Sequence, residues 1–303
     1  MRLVTLGGAA LRLAARGRER LETADALSVG VEGAEATTAA TAGRLGVEAT
    51  WLSRLPDGPL GRRVAAELRG RDVEVAAAFD GDRQGLTFFE RGATPRGDGR
   101  VDDRRGAAVE ELSFDALPVE RVDAADVAYV AARTPATSAS LAETTARFLE
   151  RAASGDTTTA LGLFEPGIDG GTLAELLSAV DVLVATASAV EATFGRSGEP
   201  TGITHALASE HDLETVGLLR DGDAAAWHDA TVHEVTLPAV DVVDVSGAVD
   251  AFAGAFLVGL AGDVQTALRG AVAAAALSRT TPGALPSFTR AELEAVAETV
   301  ERP

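Results

Sequence analysis

The central part of the chain alternates between short apolar segments and amphipathic ones, and this order limits the folds that are open to it. The predicted order is strand 126–132, helix 138–153, strand 159–164, helix 171–178, strand 181–185 and helix 187–194. Consecutive strands that are separated by a helix pair in parallel, and the helices cover the faces of the resulting sheet. The alternation therefore predicts an α/β fold with a mostly parallel central sheet flanked by helices.

The regions on either side are predicted to add further strands and helices to the same unit. Strands are expected at Arg2–Leu6, within 21–31 and 73–91, and at 214–219 and 231–237, and helices at 35–45, 60–68, 263–279 and 289–301. Residues 92–106 are polar and rich in glycine, so a loop or a mobile edge is expected there. No linker interrupts the chain, and residues 1–303 are predicted to form one domain.

The stretch 241–259 carries the clearest chemical signal. Residues 241–245 are expected to close a strand, and Ser246 is the predicted N-cap of the apolar helix that follows. The first turn of this helix is predicted to consist of Gly247, Ala248 and Val249. Unpaired N–H groups in such a turn attract anions, and Asp250 lies beside them. A carboxylate next to an anion site can act as the base on a hydroxyl that attacks a phosphate, so the stretch predicts phosphoryl transfer.

The same stretch resembles the C-terminal signature of the ribokinase-like (PfkB) family of sugar kinases, usually D-T-x-G-A-G-D-x-F-x-x-G. The matching residues are Asp244, Gly247, Ala248, Asp250, Phe252 and Ala253. Val249 replaces the second glycine of the signature. Two other segments, Gly33-Ala34-Glu35 and Thr134-Pro135, resemble those of 2-keto-3-deoxygluconate kinases. The resemblance extends over nearly the whole chain, although only the C-terminal signature is specific by itself.

This resemblance implies a fold and a reaction. The fold would be a ribokinase-like three-layer sandwich in which a small β-sheet lid, formed by about 9–31 and 73–110, covers the sugar site. The reaction would be ATP-dependent phosphorylation of a hydroxyl on a sugar or a sugar acid similar to 2-keto-3-deoxygluconate, with ATP and Mg²⁺ as cofactors. Because unpaired strand edges favour pairing, a homodimer through the lid is also expected.

The resemblance also assigns roles to individual residues. Asp250 is the expected base, and the turn before it holds the transferring phosphate. Nucleotide contacts are expected from Gly222, Asp244, Ala271 and Gly283, and substrate contacts from Gly8, Gly33, Thr37 and Arg133; no residue is assigned as a metal ligand. The charged run 98–105 is most simply a solvated loop, and the alternative is that Arg104 and Arg105 reach an anionic substrate if the lid folds over it.

Several positions depart from the family pattern. Thr37 and Thr186 stand where the family has Asn, Ala189 where it has Glu, and Asp169 where it has Arg. The Asn and Glu that are replaced by Thr186 and Ala189 normally organise Mg²⁺. Glu191 is close in sequence but is expected to point elsewhere on its helix. These departures leave a second hypothesis open, a protein of the same fold that binds a sugar, a nucleotide or a partner without phosphoryl transfer.

Composition excludes some classes of function. The formal net charge is −19 and all 27 basic residues are arginine, which argues against nucleic acid as a partner. Cysteine is absent, so disulfides and thiolate metal sites are excluded. An acidic surface without lysine is typical of a cytoplasm with very high salt, so a halophilic protein is predicted. No apolar run spans a bilayer and no signal peptide opens the chain, so no membrane contact and a cytoplasmic location are expected.

Overall fold

The computed structural model describes residues 1–300, which fold into two β-sheets and ten α-helices. The strands are β1 Arg2–Leu6, β2 Ala10–Ala15, β3 Leu27–Glu32, β4 Glu48–Pro56, β5 Val73–Gly81, β6 Leu86–Glu90, β7 Gly99–Asp103, β8 Val127–Ala131, β9 Thr158–Leu163, β10 Val182–Thr186, β11 Thr215–Leu219, β12 Asp223–His228 and β13 Thr231–Thr236. The helices are α1 Ala34–Arg44, α2 Pro59–Arg69, α3 Val119–Asp123, α4 Ala139–Ala153, α5 Gly170–Leu177, α6 Ala187–Phe194, α7 Pro200–His211, α8 Ala248–Gly259, α9 Val264–Ser278 and α10 Arg290–Thr299.

Nine strands form the large sheet, in the order β13-β12-β11-β10-β9-β8-β1-β4-β5. The strands from β11 to β5 are all parallel, and β12 and β13 are added antiparallel at one edge. In parallel sheets of this kind, ligands bind beyond the carboxyl ends of the strands. The predicted α/β architecture with a mostly parallel central sheet is confirmed.

Each face of the large sheet packs against its own layer of helices. Successive strand residues point to opposite faces, so Trp51 of β4 lies in one apolar core and its neighbour Leu52 lies in the other. The first core also takes residues of α1, α2, α8 and α9, and the second takes residues of α4, α5, α6 and α7. The result is a three-layer sandwich, in which α8 packs against α1 and α9 with most of its residues buried.

The small sheet has four strands in the order β3-β2-β6-β7. It uses residues from both segments that were predicted for the lid. The boundary of the second segment differs, because 73–81 lies at the edge of the large sheet, where it pairs with β4. Part of the loop predicted at 92–106 is also strand β7, which pairs antiparallel with β6.

Other differences concern individual elements. The sequence interpretation missed strands β2, β4 and β12 and helix α7. The prediction that 241–245 closes a strand is wrong, because these residues form an irregular segment between β13 and α8. The last residue of the helix predicted at 289–301 lies outside the described residues. Within residues 1–300, none of the helices is long and apolar enough to cross a membrane.

The acidic charge predicts that the fold depends on salt. With a net charge of −19, carboxylates repel one another over about 30 Å at 0.01 M salt but only about 3 Å at 1 M. Each ~1 kcal/mol of repulsion lowers the melting temperature by about 2 °C in a chain of this size. We expect a decrease of at least about 5 °C on dilution from molar to millimolar KCl, measured by circular dichroism. A melting temperature that is independent of salt would contradict the halophilic interpretation.

Candidate active site

The turn that begins α8 depends on one glycine. Gly247 is the N-cap of the helix and has a φ of 73°, in the left-handed region. A Cβ at this position would lie 2.0 Å from the carbonyl oxygen of Ala284. Only glycine fits both the backbone conformation and this contact. The prediction that Ser246 caps the helix is wrong, since no side chain bonds to the turn and Gly247 itself stands at the cap.

The backbone N–H groups of this turn are available to a ligand. We call Gly247, Ala248 and Val249 the anion turn. Within residues 1–300, the N–H groups of Gly247 and Val249 have no protein acceptor, and that of Ala248 makes only a long 3.4 Å bond to the Val245 carbonyl. The turn opens a helix of 12 residues, whose dipole adds positive potential at the same place. The turn therefore favours a phosphate group.

Asp250 follows the anion turn and is a candidate base. Solvent reaches part of this residue, but protein surrounds its carboxylate on most sides. Burial, and then the negative charges of Glu35, Glu165 and Glu32, raise the pKa of Asp250 to about 7, while Arg133 opposes them. Thr38 on α1 donates a 3.2 Å hydrogen bond to the Asp250 carbonyl and so fixes this turn of the helix. A base with a pKa near the working pH is well suited to proton transfer.

The anion turn separates two cavities. The large cavity, about 540 Å³, lies on the side of α6, α9 and the β11–β12 turn. The Asp250 cavity, about 350 Å³, lies beneath the small sheet. Val245 and Val249 line both cavities, Ala248 lines the first, and Gly247 and Asp250 line the second. A group held at the turn can therefore be approached from both sides.

An inner cavity of about 140 Å³ extends the Asp250 cavity. The two share the lining residues Gly33, Ala34, Arg104 and Arg133. Both are small, so they suit a small polar molecule.

Three arginines converge on the Asp250 cavity, and we call Arg100, Arg104 and Arg133 the arginine cluster. Burial and the positive charges of Arg133 and Arg100 lower the pKa of Arg104, although Glu32 opposes them. Glu32 accepts hydrogen bonds from Arg100 at 2.7 Å and from Arg104. Asp102 also pairs with all three arginines, and Glu165 pairs with Arg133. The cluster therefore presents guanidinium N–H donors to a ligand beside carboxylates that compensate its charge. Arg104 lines both cavities, although the charged run 98–105 was interpreted first as a solvated loop, whereas Arg105 is exposed and lines neither cavity.

Glu35 is a second buried carboxyl group, which the sequence interpretation did not identify as part of the site. One carboxylate oxygen accepts hydrogen bonds from the Ala131 N–H at 3.0 Å and the Thr134 hydroxyl at 2.5 Å. Burial raises the pKa of Glu35 to about 7, and these hydrogen bonds oppose the increase. Glu35 therefore fixes the turn after β8 that presents Arg133. The sequence analysis did single out the two short segments that contain Glu35 and Thr134, because both resemble family segments. It could not show that these two residues are in contact.

The buried Glu35 carboxyl predicts a pH dependence of stability. Between pH 4.5 and about 7, the folded chain retains a proton on Glu35 that the unfolded chain has lost. The free energy of unfolding therefore decreases as the pH rises through this interval. Glu35→Gln keeps an acceptor for Ala131 and Thr134 but does not titrate. We expect its melting temperature to depend on pH about half as steeply, since Asp250 still contributes. Equal slopes in thermal scans of the two proteins would contradict this expectation.

The structure brings some of the predicted nucleotide residues to the large cavity. Gly222 lines this cavity. Ala271 is fully buried in the core, while the next residues on its helix line the cavity instead. Asp244 and Gly283 do not line this cavity but border a separate groove beside Arg12. The Asp244 carboxylate accepts hydrogen bonds from the backbone N–H groups of Ser246 and Gly283, both at 3.0 Å. Asp244 thus joins two loops, which is a structural role that the sequence did not indicate.

Not all of the predicted substrate residues lie at the site. Gly8 and Gly33 line the inner cavity, and Arg133 lines both parts of the site. Thr37 is fully buried in α1 and lines neither part. The structure therefore groups three of these four residues around one space.

Two of the departures from the family pattern have local structural roles. Asp169 is the N-cap of α5, with its carboxylate accepting from the Gly171 and Thr172 N–H groups. Thr186 is the N-cap of α6, bonds to the Ala189 N–H, and lines the large cavity. Glu191 was expected to point elsewhere, but it also lines the large cavity. A carboxylate is thus available beside the large cavity in place of the Glu that Ala189 replaces.

Comparisons with known proteins agree with this geometry. The profile of the pfkB family carbohydrate kinases matches residues 2–290. A 2-dehydro-3-deoxygalactonokinase of Haloferax volcanii is 42% identical over 304 residues, covering 97% of this chain and 96% of the relative. The crystal structure of a Thermotoga maritima 2-dehydro-3-deoxygluconokinase superposes with a TM-score of 0.91 at 27% identity, covering 98% of this chain and 99% of that one.

A more distant structure shows the same ribokinase-like fold with a nucleotide bound. A putative ribokinase II of E. coli, solved in complex with ATP and Mg²⁺, superposes with a TM-score of 0.87 at 18% identity, covering 98% of this chain and 99% of that one. The match of the family profile over nearly the whole chain, with Asp250 and the anion turn at the carboxyl edge of the large sheet, identifies the chain as a member of the pfkB family of carbohydrate kinases.

Proposed function

We propose that this protein transfers the γ-phosphoryl group of ATP to a hydroxyl of a 2-keto-3-deoxy sugar acid. The observation that carries the proposal is the position of Asp250 and the anion turn between two cavities. One cavity can hold a nucleotide and the other a small acceptor, with the base on the acceptor side. The relatives named for 2-dehydro-3-deoxygalactonate and 2-dehydro-3-deoxygluconate support this class of acceptor.

The arginine cluster supports an acid rather than a neutral sugar as the acceptor. Arg104 and Arg133 line both the Asp250 cavity and the inner cavity, so they border the full length of the acceptor space. Guanidinium groups bind carboxylates in a fork geometry with charge-assisted hydrogen bonds. An acceptor whose carboxylate binds this cluster would have its hydroxyl end directed toward Asp250. A neutral sugar would offer no carboxylate for these charge-assisted hydrogen bonds.

The residues act on the reaction in two ways. Asp250 takes the proton of the acceptor hydroxyl as the oxygen forms its bond to the γ-phosphorus, and the bond to the leaving phosphate oxygen of ADP breaks. The N–H groups of the anion turn stabilise the charge on the transferring group. Since Val249 lines both cavities, its side chain limits how closely the phosphoryl group approaches.

The large cavity fits a nucleotide. Its lining includes apolar side chains of Ile203, Leu237 and Val272, suited to a base, and its floor reaches the anion turn, suited to the phosphates. Residues 1–300 contain no cluster of three His, Asp or Glu side chains that could hold a metal by itself. Mg²⁺ usually takes one or two carboxylates together with phosphate oxygens. Glu191 lines the large cavity together with Asp221 and Asp223, and it is a carboxylate that fits this role. When bound, Mg²⁺ would neutralise phosphate charge.

A substrate panel in molar KCl tests the proposal. ADP formation should depend on 2-keto-3-deoxygalactonate or 2-keto-3-deoxygluconate, with kcat/KM at least about 100-fold higher than for ribose, since paired charges in such a site contribute a few kcal/mol. Equal rates with ribose and the two acids would contradict the assignment of the arginine cluster. The homodimer through the small sheet and the cytoplasmic location stay predictions.

A further inference from the structure

Arg12 is a buried arginine that belongs to neither cavity of the proposed reaction. It lies on β2 of the small sheet, and its side chain is only 5% exposed. Its guanidinium group lies 4.1 Å from the centre of the Phe89 ring and contacts two carboxylates that are equally buried. Nη2 is 2.8 Å from Asp244, and Nε is 3.6 Å from Glu32. Breaking such a buried ion pair is costly, because the carboxylate that remains loses its compensating charge.

On one side, Arg12 contacts the residue that shapes the anion turn. The Asp244 oxygen that accepts from Arg12 also accepts from the Gly283 N–H, and the other oxygen accepts from the Ser246 N–H. Asp244 therefore joins the loop before α8 to the loop at 282–284. These two loops touch where Gly247 packs against the carbonyl of Ala284. The position of the anion turn thus depends on the conformation of the Asp244 carboxylate.

On the other side, Arg12 contacts the residue that holds the arginine cluster. Glu32 accepts from Arg100 and Arg104 with one oxygen, and its second oxygen faces Arg12. One continuous series of charge contacts therefore runs from Arg104 through Glu32, Arg12 and Asp244 to the backbone N–H of Ser246, directly before the anion turn. It spans 232 residues in sequence between Arg12 and Asp244 and connects the small sheet to the large one.

We propose that Arg12 is a positioning residue, which holds the anion turn in its working geometry through Asp244 and connects it to the arginine cluster through Glu32. This role rests on the proposed kinase function. Arg12 has two effects on the turn. It fixes the loops that carry the N–H donors, and it neutralises a carboxylate that would otherwise repel phosphate beside them. Its planar guanidinium contacts both carboxylates at once, which the point charge of a lysine does not reproduce.

Kinetic measurements on Arg12→Gln and Arg12→Lys test the effect on catalysis. A displacement of about 1 Å at a reacting centre can reduce the rate about 100-fold. We expect kcat to fall about 100-fold in Arg12→Gln and about tenfold in Arg12→Lys, with the KM for ATP within about threefold of the parent. The control is Arg16→Gln, because Arg16 borders the same surface groove but is exposed. Its kcat should stay within twofold of the parent (about 0.4 kcal/mol).

Hydrogen exchange measured by mass spectrometry tests the contact itself without any need for activity. In Arg12→Gln, peptides that contain Ser246 and Gly283 should exchange faster than in the parent, while peptides from β8 and β9 should not change. Unchanged exchange in both loops overturns the proposal, whatever the kinase rates are. An unreactive parent enzyme would instead contradict the kinase function alone.

The lysine variant keeps the test decisive if Arg12→Gln does not fold in molar KCl. Arg12→Lys retains the positive charge between the two carboxylates, so it should fold with a melting temperature close to that of the parent. Faster exchange at 246 and 283 together with a lower kcat would then support the proposal. Exchange and kcat equal to those of the parent would show that the charge suffices for folding and that Arg12 does not position the turn.

Discussion

Asp250→Asn is expected to reduce kcat by about 10³-fold or more, while the affinity for ATP stays within about tenfold, or 1.4 kcal/mol. Asparagine keeps the size of the side chain but cannot accept the hydroxyl proton at neutral pH. The parent should lose activity as the pH falls through about 7, since the raised pKa of Asp250 then leaves the base protonated. Parallel titrations of activity and ATP binding measure both effects.

The matched control for this change is Asp263→Asn. Asp263 is the exposed N-cap of the next helix, where its carboxylate accepts from the Thr266 N–H. Asparagine caps a helix equally well, so this variant should keep the kcat of the parent. Substantial turnover by Asp250→Asn beside an unaffected control would exclude Asp250 as the base.

Gly247→Ala is expected to abolish detectable phosphoryl transfer and to lower the melting temperature. An added Cβ would lie 2.0 Å from the Ala284 carbonyl oxygen, and the backbone at 73° already disfavours a side chain. The loops around the anion turn must therefore move apart. A strained left-handed residue costs about 1–2 kcal/mol even without the collision. Steady-state rates and thermal scans measure the two effects.

Gly58→Ala is the control, since Gly58 is also an N-cap glycine but has extended backbone and open space around its Cβ position. This variant should change stability by less than about 1 kcal/mol and leave the rate unchanged. If Gly247→Ala behaved like Gly58→Ala, the close contact with Ala284 would not shape the site.

The alternation of strands and helices could be predicted because each element carries its own periodicity. β12 was missed because half of Asp223–His228 is alanine, and it is a strand only through its pairing with β11 and β13. The segment 73–81 was recognised as a strand, but nothing local indicates that it pairs with β4 rather than with the small sheet. Local sequence thus indicates which segments are strands, whereas their partners are decided by tertiary packing.

In the candidate site, too, local sequence indicated some features, whereas others depend on tertiary contacts. Asp250 and the anion turn could be located because they lie together in one stretch that resembles a known signature. The contacts between Glu35 and Thr134, and between Arg12 and Asp244, join residues 99 and 232 positions apart. Sequence spacing alone does not predict contacts between residues so far apart.

The hypothesis of a protein that binds a ligand or partner without phosphoryl transfer gains no support. Asp169 and Thr186 cap helices, while Asp250, the anion turn and both cavities are present.

The most direct test of the central claim is the identity of the reaction product. The parent protein is incubated in molar KCl with ATP, Mg²⁺ and 2-keto-3-deoxygalactonate, and the mixture is followed by ³¹P NMR. We predict one phosphate monoester of the sugar acid for each ADP that is formed, and no product with Asp250→Asn. Release of inorganic phosphate alone, or no consumption of ATP with this acid or with 2-keto-3-deoxygluconate, would contradict the proposed function.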